Sequence, residues 1–309
     1  MLEKEIYEFL TGNGFSCTCA DIRGWNLIRT RLEYGRERVI LPVGFTATSP
    51  EEAEKQSDSL RSAIEEITKS DGLHPIVITE DRWNVQKDMI QKRLLSHLEV
   101  FIPLFARNCE VRRIEKAEAS AFLNYSHSYG DASCRYRYGM FLKRHTGHRA
   151  SGLIQPGTLV AVAEFSNARK WKKGDKVIRS YEWTRYASLP DVRINGGMGK
   201  MLKHFIKDID PDDIMSYADL EWSEGSVYEQ LGFSLEGHKE AVTFVIDRES
   251  GIRRALGKRS FAYAQDDRRD AQDDRGPDGD RGPDGDNRYF CNLGSNKYRL
   301  KLTDYEQEL

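Results

Sequence analysis

Long apolar runs are missing from this chain, and their absence narrows the class of protein. No stretch approaches the roughly 18 apolar residues that a membrane-spanning helix requires. The first residues, Met-Leu-Glu-Lys-Glu-Ile, are charged and amphipathic, without the apolar centre of a secretory signal. We therefore predict a cytoplasmic protein with no membrane partner.

Cysteine is scarce and irregularly spaced. The five cysteines are an odd number, and Cys17-x-Cys19 has no second pair that would complete a zinc site. This distribution predicts reduced structural thiols and no bound metal, with a catalytic cysteine as the open alternative. The net charge of −2 is too small to indicate a partner by itself.

One segment has almost no apolar residues and repeats itself. AQDDR occurs at 264–268 and 271–275, and RGPDGD occurs at 275–280 and 281–286. Such a polar stretch cannot bury enough apolar surface to offset the entropy lost on ordering. We predict a disordered tandem-repeat insertion at 255–287, at the tip of a C-terminal hairpin between strand-like runs at 241–246 and 288–291.

The first part of the chain, residues 1–104, predicts a small α/β domain. Ser49-Pro50-Glu-Glu is a strong helix start, because serine caps, proline suits the first turn and acids favour the positive helix end. Strands are predicted at 38–43 and 74–79, and a helix at 84–98. No Asp followed by Glu-x-Lys, the carboxylate cluster of a nuclease, is present between Gly14 and Phe45.

Residues 105–309 predict a second domain, rich in strands and interrupted by helices. Strands are expected at 110–114, 135–142, 158–165, 177–187 and 214–218, and helices at 117–125, 197–209 and 226–231. The fold class is therefore α+β, a mixed β-sheet flanked by helices.

The clearest motif is Arg193-Ile-Asn-Gly196-Gly197-Met-Gly199-Lys200, which follows a strand and opens a helix. Glycines let backbone N–H groups approach a ligand, and the helix N-terminus adds unpaired donors, so a pyrophosphate fits there. The spacing is neither a Walker motif nor a Rossmann motif. A tight turn with close helix–strand packing is the alternative interpretation.

About 30 residues later, Ser226-Val-Tyr228-Glu-Gln-Leu-Gly-Phe233 forms a helix that stops at glycine. Together, the two motifs resemble the GNAT superfamily of acyl-coenzyme A N-acyltransferases. In that family an Arg/Gln-x-x-Gly-x-Gly/Ala turn binds the coenzyme A pyrophosphate, and the later helix often presents a tyrosine as general acid. Met198 departs from the Gly or Ala expected at its position, whereas a pattern shifted by one would place Ile194 at the Arg/Gln position.

The resemblance implies binding of acetyl-coenzyme A or another acyl-coenzyme A, and transfer of the acyl group to an amine. The residues implied to bind the cofactor are Arg193, Gly196, Gly197, Gly199 and Lys200. The implied catalytic residues are Tyr228, Asp219, His127 and Glu182, with Glu164 as another candidate base. Three of these candidates also have a structural interpretation: capping for Asp219 and His127, and packing for Tyr228.

Further stretches, Tyr181-Glu-Trp-Thr-Arg185 and Ile214-Met-Ser-Tyr-Ala-Asp219, are similar to a phage and bacterial branch of this superfamily. That branch includes Mom-type DNA-base modification proteins and GNAT-like domains fused behind phage homing-type endonucleases. The resemblance spans roughly residues 75–247 and resumes after the insertion. It implies that the acceptor is a nucleobase amine in DNA and that a nuclease domain comes first. Because the carboxylate cluster is missing, we interpret the first domain as a degenerate nuclease or an unrelated domain with a binding or structural role.

A basic sector gives a second hypothesis. Residues 169–179 contain six lysines and arginines against Asp175, and 132–163 contain basic residues and no acid. Such charge, interleaved with Trp171 and several tyrosines, is typical of surfaces that follow a phosphate backbone. The alternative function is therefore a non-catalytic nucleic-acid-binding relic of a phage fusion protein, and an active nuclease is a third, weaker hypothesis.

Overall fold

The computed structural model describes residues 2–32, 35–144, 154–174, 176–223, 225–247, 249–256 and 287–304. The predicted insertion at 255–287 lies outside these residues except for its first two positions and its last. Within the described part of the chain, no helix is both long enough and apolar enough to cross a bilayer.

Helices and strands alternate along the chain. The helices are α1 (Leu2–Gly12), α2 (Pro50–Asp71), α3 (Glu80–Val85), α4 (Lys87–His97), α5 (Lys116–Ser126), α6 (Gly197–Ile209) and α7 (Ser226–Gln230). The strands are β1 (Ser16–Ile22), β2 (Trp25–Arg31), β3 (Arg38–Val43), β4 (Ile76–Thr79), β5 (Ile102–Phe105), β6 (Cys109–Arg113), β7 (Tyr136–Leu142), β8 (Leu159–Phe165), β9 (Arg169–Lys173), β10 (Lys176–Ser188), β11 (Val192–Asn195), β12 (Asp213–Asp219), β13 (Ser234–Lys239), β14 (Thr243–Ile246), β15 (Arg253–Ala255), β16 (Arg288–Cys291) and β17 (Ser295–Lys301).

The chain forms two compact units, and neither is a continuous segment. Unit 1 comprises Met1–Lys87, Asp219–Glu224 and Lys239–Ser295; unit 2 comprises Asp88–Ala218, Gly225–His238 and Asn296–Leu309. This division differs from the boundary predicted at 104/105. Residues 88–104 belong to the second unit, and the strands that flank the insertion belong to the first.

Unit 1 contains a four-stranded sheet in the order β1-β2-β3-β4, antiparallel except for the parallel pair β3 and β4. Helix α2 begins as predicted: the Ser49 hydroxyl accepts a hydrogen bond from the Glu52 N–H. The helix ends at Gly72, whose φ of 66° suits glycine. Leu60 and Ile67 of α2 pack against Val39 and Leu41 of β3 in one core cluster.

A separate three-stranded sheet in unit 1 has the order β15-β14-β16. Its strands β14 and β16 are antiparallel, with Phe244 opposite Phe290, so the two runs predicted to flank the insertion do pair. Phe290 and Leu293 belong to the same core cluster as α2, and the Ser57 hydroxyl donates to the carbonyl of Asn292. Residues from both ends of the sequence therefore complete one core.

Unit 2 is built on a mixed sheet in the order β13-β17-β12-β10-β8-β7-β6, with β9 added to the edge of β10. Helix α6 covers one face, where Phe205 stacks on Phe165 with ring centroids 3.8 Å apart. Helix α5 covers the other face, where Ala119 and Leu123 pack against Val162. This α+β architecture confirms the predicted fold class.

The central strands β10 and β12 run parallel but pair over a short distance. Among the described residues, their register covers Ser180–Glu182 against Asp213–Met215. Beyond Glu182, β10 pairs antiparallel with β8 and has an irregularity between Trp183 and Arg185. Continuous backbone pairing between the two strands therefore stops midway along the sheet, and side chains from β12 reach β10 instead.

Candidate active site

The glycine turn leads from β11 into α6. Gly196 is the N-cap residue, with a φ of 75° that non-glycine residues rarely adopt, and it offers no side chain to cap the helix. The Lys200 N–H donates to the Gly196 carbonyl at 3.0 Å and so closes the first helical turn. The first turn contains no acidic residue. The positive end of α6 is thus left without a side-chain cap or a neutralising carboxylate of its own.

The next glycines pack against the protein itself. A Cβ on Gly197 would lie 2.8 Å from the Tyr186 hydroxyl, and one on Gly199 would lie 3.3 Å from Leu231 Cδ2. Both glycines therefore permit close helix packing, in agreement with the structural interpretation of the motif. Met198, which differs from the Gly or Ala of the GNAT pattern, packs its side chain against the core of unit 2.

Two predicted cofactor residues have different environments. Lys200 Nζ donates to the Ala106 carbonyl at 2.8 Å and to the Cys109 carbonyl, which ties α6 to the 3₁₀ turn at Ala106–Asn108. Because its ammonium already meets two carbonyls, Lys200 has a structural task at this position. Arg193 is exposed, and its guanidinium lies 5.3 Å from the centre of the Phe101 ring.

Tyr228 lies on α7, beside the point where β10 and β12 stop pairing. Its ring stacks on Tyr298 at 5.3 Å and meets Phe233 and Trp183 edge-on. Its hydroxyl is 2.9 Å from the Ser216 hydroxyl, which also donates to the Trp183 carbonyl at 2.8 Å. Burial raises the pKa of Tyr228, and the hydrogen bond with Ser216 partly opposes that rise. The phenol is therefore a proton-bearing group at neutral pH.

Glu182 lies on β10 between Tyr181 and Trp183, which both face the core under α6. Because successive strand residues point to opposite faces, Glu182 points to the other face. Its backbone N–H donates to the Ser166 hydroxyl, and its carbonyl accepts from the Ser166 N–H, both at 2.9 Å. Its negative charge contributes, after burial, to the raised pKa of Tyr217. Glu182 and Tyr228 thus belong to opposite faces of the sheet.

His127 terminates α5. Its N–H donates to the Leu123 carbonyl at 2.8 Å, and its Nδ1 accepts from the Tyr129 N–H at 3.1 Å. The imidazole is therefore part of a turn after the helix, as its structural interpretation requires. Both of these hydrogen bonds join His127 to residues within four positions of it in the chain.

Asp219 belongs to unit 1, whereas Tyr228 belongs to unit 2. One Asp219 oxygen accepts from the Glu221 N–H at 3.0 Å, and the other lies 3.7 Å from Arg82. Its carbonyl accepts from the N–H groups of Trp222 and Ser223. Asp219 therefore organises the turn after β12, and its catalytic assignment stays a prediction.

Glu164, a further candidate base, is fully buried on β8. Its Oε1 accepts from Arg137 at 3.2 Å, while Oε2 has no hydrogen-bond partner. Burial, followed by the nearby charge of Asp131, raises its pKa to about 7. Val162, two residues earlier, faces α5, so Glu164 lies on the same face of the sheet as Glu182.

Ser216 was missed by the reasoning from sequence. It lies two residues from both Ile214 and Ala218, which are core residues, so its side chain faces the core. A lone hydroxyl on the core face of a strand is the signal that was available, because a buried polar group needs a partner. The partners themselves come from β10 and α7.

In unit 1, within the range where nuclease carboxylates were sought, β1 carries only Asp21, and β2 and β3 carry no Asp or Glu. Strand β2 reads WNLIRTR, and β3 reads RVILPV. In the described ranges, no group of three or more His, Cys, Asp or Glu residues has a geometry that would hold a metal ion.

Comparison with known proteins adds little. No family model matches the chain, and no match to a curated protein was found. Among solved structures, Eis1 from Mycobacterium abscessus is similar, with 15% identity and a TM-score of 0.32. The similarity covers 45% of this chain and 33% of that protein. A likeness this weak does not assign a function to this chain.

Proposed function

We propose that unit 2 is a GNAT-like acyltransferase that uses acetyl-coenzyme A or another acyl-coenzyme A and acylates an amine. The observation that carries the proposal is the end of β10–β12 pairing beside the Tyr228 hydroxyl. Helix α7, which holds this tyrosine, also approaches the N-terminus of α6, because Gly199 packs near Leu231. A proton donor and an uncapped helix N-terminus therefore occur in one part of unit 2.

The α6 N-terminus suits a pyrophosphate. The N–H groups of Gly197, Met198 and Gly199 precede the first α-helical hydrogen bond, and such groups favour anions together with the helix dipole. Arg193, exposed on β11 close to this turn, adds a positive charge. When bound, the cofactor supplies an activated acyl thioester. The protein holds the phosphates at α6, and Tyr228 protonates the sulfur as it leaves.

The carboxylates on the opposite face complete the proposed roles. Glu182 and Glu164 lie on the α5 face, and one of them takes the proton from the attacking amine. The raised pKa of Glu164 suits a base near neutral pH, but its complete burial favours the less buried Glu182 for direct contact with an acceptor. A nucleobase amine of DNA is the acceptor implied by the sequence resemblance.

Acetyl-coenzyme A is expected to raise the melting temperature in a concentration-dependent way, because it binds only the folded state. The change Asn195→Asp adds a negative charge at an exposed position directly before Gly196. It should stabilise the ligand-free protein by about 0.3–1 kcal/mol through the helix dipole. It should also weaken cofactor binding about tenfold or more by repelling the phosphates. A thermal-shift titration measures both effects.

The matched control is Asn84→Asp, which makes the same charge change at an exposed position of unit 1. This variant should bind the cofactor like the wild-type protein. No shift at saturating acetyl-coenzyme A, or the same shift in all three proteins, would contradict phosphate binding at α6.

Nucleic-acid binding is the second candidate function, and the β9–β10 hairpin favours it. The register places Lys170 directly opposite Arg179. Like charges directly across a strand pair destabilise it, and a polyanion would relieve that repulsion. Arg169, Lys170, Lys172 and Lys176 are exposed, and Trp171 is half-buried beside them. We infer that this hairpin contacts the phosphate backbone of DNA.

Replacing Lys170, Lys172 and Lys176 with glutamine should reduce the salt dependence of binding to a short duplex. Each lost phosphate contact lowers the slope of log K against log salt by about 0.9, so a decrease of roughly 2 to 3 is expected. Fluorescence anisotropy at several salt concentrations gives the slope. The control replaces Lys4, Lys55 and Lys69, which are exposed lysines of unit 1, with glutamine. An equal decrease of the slope in the control would contradict a specific contact between the hairpin and DNA.

A further inference from the structure

The Ser216 hydroxyl lies between two groups that compete for its single hydrogen. It is 2.8 Å from the Trp183 carbonyl and 2.9 Å from the Tyr228 hydroxyl, and the residue is 2% exposed. A serine hydroxyl can donate one hydrogen bond and accept others. The Trp183 carbonyl can only accept, whereas the Tyr228 hydroxyl can donate or accept.

The protonation state of Tyr228 decides where that hydrogen points. When Tyr228 is protonated, it can donate to Ser216, and Ser216 can donate to the Trp183 carbonyl. When Tyr228 is a phenolate, it can only accept, and its charge makes it the stronger acceptor. The Ser216 hydrogen then turns from Trp183 to Tyr228, a rotation about one bond with no movement of the backbone.

We propose that Ser216 is a positioning residue for Tyr228, holding the phenol in place and stabilising the phenolate formed when its proton is given away. This inference rests on the proposed acyltransferase function. In the reaction, the amine nitrogen forms a bond to the acyl carbon as the carbon–sulfur bond breaks. The sulfur keeps the electron pair and takes the Tyr228 proton, a carboxylate or water takes the amine proton, and Tyr228 regains a proton from water.

The surrounding packing supports this role because it limits how the phenol can move. The Tyr228 ring is stacked on Tyr298 with an angle of 20° between the planes. Gly225 in turn leaves room for Tyr298, since a Cβ on Gly225 would lie 2.4 Å from that ring. The Tyr228 ring is stacked on one aromatic ring and in edge contact with two others. These contacts fix the hydroxyl relative to β12, where Ser216 is its hydrogen-bond partner.

The first test uses the ligand-free protein and measures the titration of Tyr228. Tyrosine labelled with ¹³C at Cζ gives a signal for each phenol, and the Tyr228 signal is the one lost in Tyr228→Phe. In Ser216→Ala, the Tyr228 signal should titrate at higher pH than in the wild-type protein, because the phenolate has lost a donor. An unchanged titration would overturn the inference.

The control for this test is Ser180→Ala. Ser180 is another buried serine of the same sheet, and its hydroxyl donates to Asp213. Its removal costs two hydrogen bonds, one to Asp213 and one from Arg299, without touching Tyr228. The Tyr228 signal should keep its wild-type titration, and an equal displacement in both variants would show a general loosening of the sheet, which contradicts a specific role for Ser216.

The second test is kinetic. Ser216→Ala should lower kcat about 10- to 100-fold and leave the KM for acetyl-coenzyme A nearly unchanged, as expected for a lost hydrogen bond to a charged group. In a Tyr228→Phe background, the same change should have almost no further effect. Additive effects would overturn the positioning role. If the wild-type protein transfers no acyl group, the proposed function and the catalytic role of Ser216 both fail, while the titration still decides the hydrogen bond.

Discussion

Replacing Arg253 with methionine is expected to lower the free energy of unfolding of unit 1 by about 3–5 kcal/mol. The Arg253 guanidinium donates to both oxygens of Asp81, at 2.6 and 2.8 Å, and to the Thr79 hydroxyl at 2.8 Å. Asp81 is 5% exposed. Methionine fills a similar space but provides no donor, so the change leaves a buried carboxylate without its main partner.

The penalty is large because the network around Arg253 is closed to water. Arg82 donates to Glu221 at 2.5 Å, and Glu221 is fully buried. Arg253 lies 3.5 Å from the other oxygen of Glu221 and also faces the Phe290 ring at 4.8 Å. Burial raises the pKa of Glu221, while the two arginines oppose that rise. Removing one cation therefore destabilises both carboxylates.

Urea unfolding followed by hydrogen exchange in β3 and α2 measures this effect within unit 1. The neighbouring residue provides the control: Arg254 pairs with Asp247 at 2.9 Å, but its side chain is 72% exposed. Arg254→Met should change stability by less than about 0.5 kcal/mol. A loss of similar size in the two variants would show that the buried network does not set the stability of unit 1.

The second large effect concerns pH and Glu164. Its pKa is raised from 4.5 to about 7 in the folded protein, so the folded state binds the proton more tightly than the unfolded state. The contribution of Glu164 to the free energy of unfolding is therefore greatest below pH 4.5. It is lost as the pH rises through 7. Glu164→Gln removes this titration. The free energy of unfolding of the variant, relative to that of the wild-type protein, should therefore rise by roughly 2 to 3 kcal/mol from pH 5 to pH 8.

The groups around Glu164 come from three elements. Arg137 on β7 and Arg185 on β10 lie directly across from it, while Asp131 and Cys134 lie in the loop before β7. Glu110→Gln, which makes the same substitution at an exposed position of β6 in the same sheet, provides the control. Denaturant midpoints at pH 5 and pH 8 measure the difference. A wild-type pH profile in Glu164→Gln would assign the pH dependence to another group.

Local signals in the sequence predicted helices better than strands. Helix α6 has the predicted bounds, because glycines at its start and an amphipathic pattern mark it. Strands β1 and β2 were not predicted: β1 lies at a sheet edge and is half-buried or exposed throughout, so it lacks the alternation that identifies a strand. The helix predicted at 84–98 is two helices, α3 and α4, that meet at Gln86.

The candidate site shows where reasoning from sequence stops. The glycine turn and the helix of Tyr228 were located correctly, because each is specified by a short run of consecutive residues. The task of Lys200 depends on carbonyls more than 90 residues earlier in the chain. In the same way, the separation of Asp219 from Tyr228 into different units depends on long-range contacts.

The divided composition of unit 1 has a consequence during synthesis. Its core needs Phe290 and Leu293 against α2, yet all of unit 2 except β17 is encoded between them. At about 5–20 residues per second, a ribosome takes roughly 10 to 40 s to travel from Lys87 to Leu293. Throughout that time the apolar face of α2 lacks its final partners. A nascent chain in this state is a natural client for chaperones, and slowing translation before residue 288 should increase its aggregation.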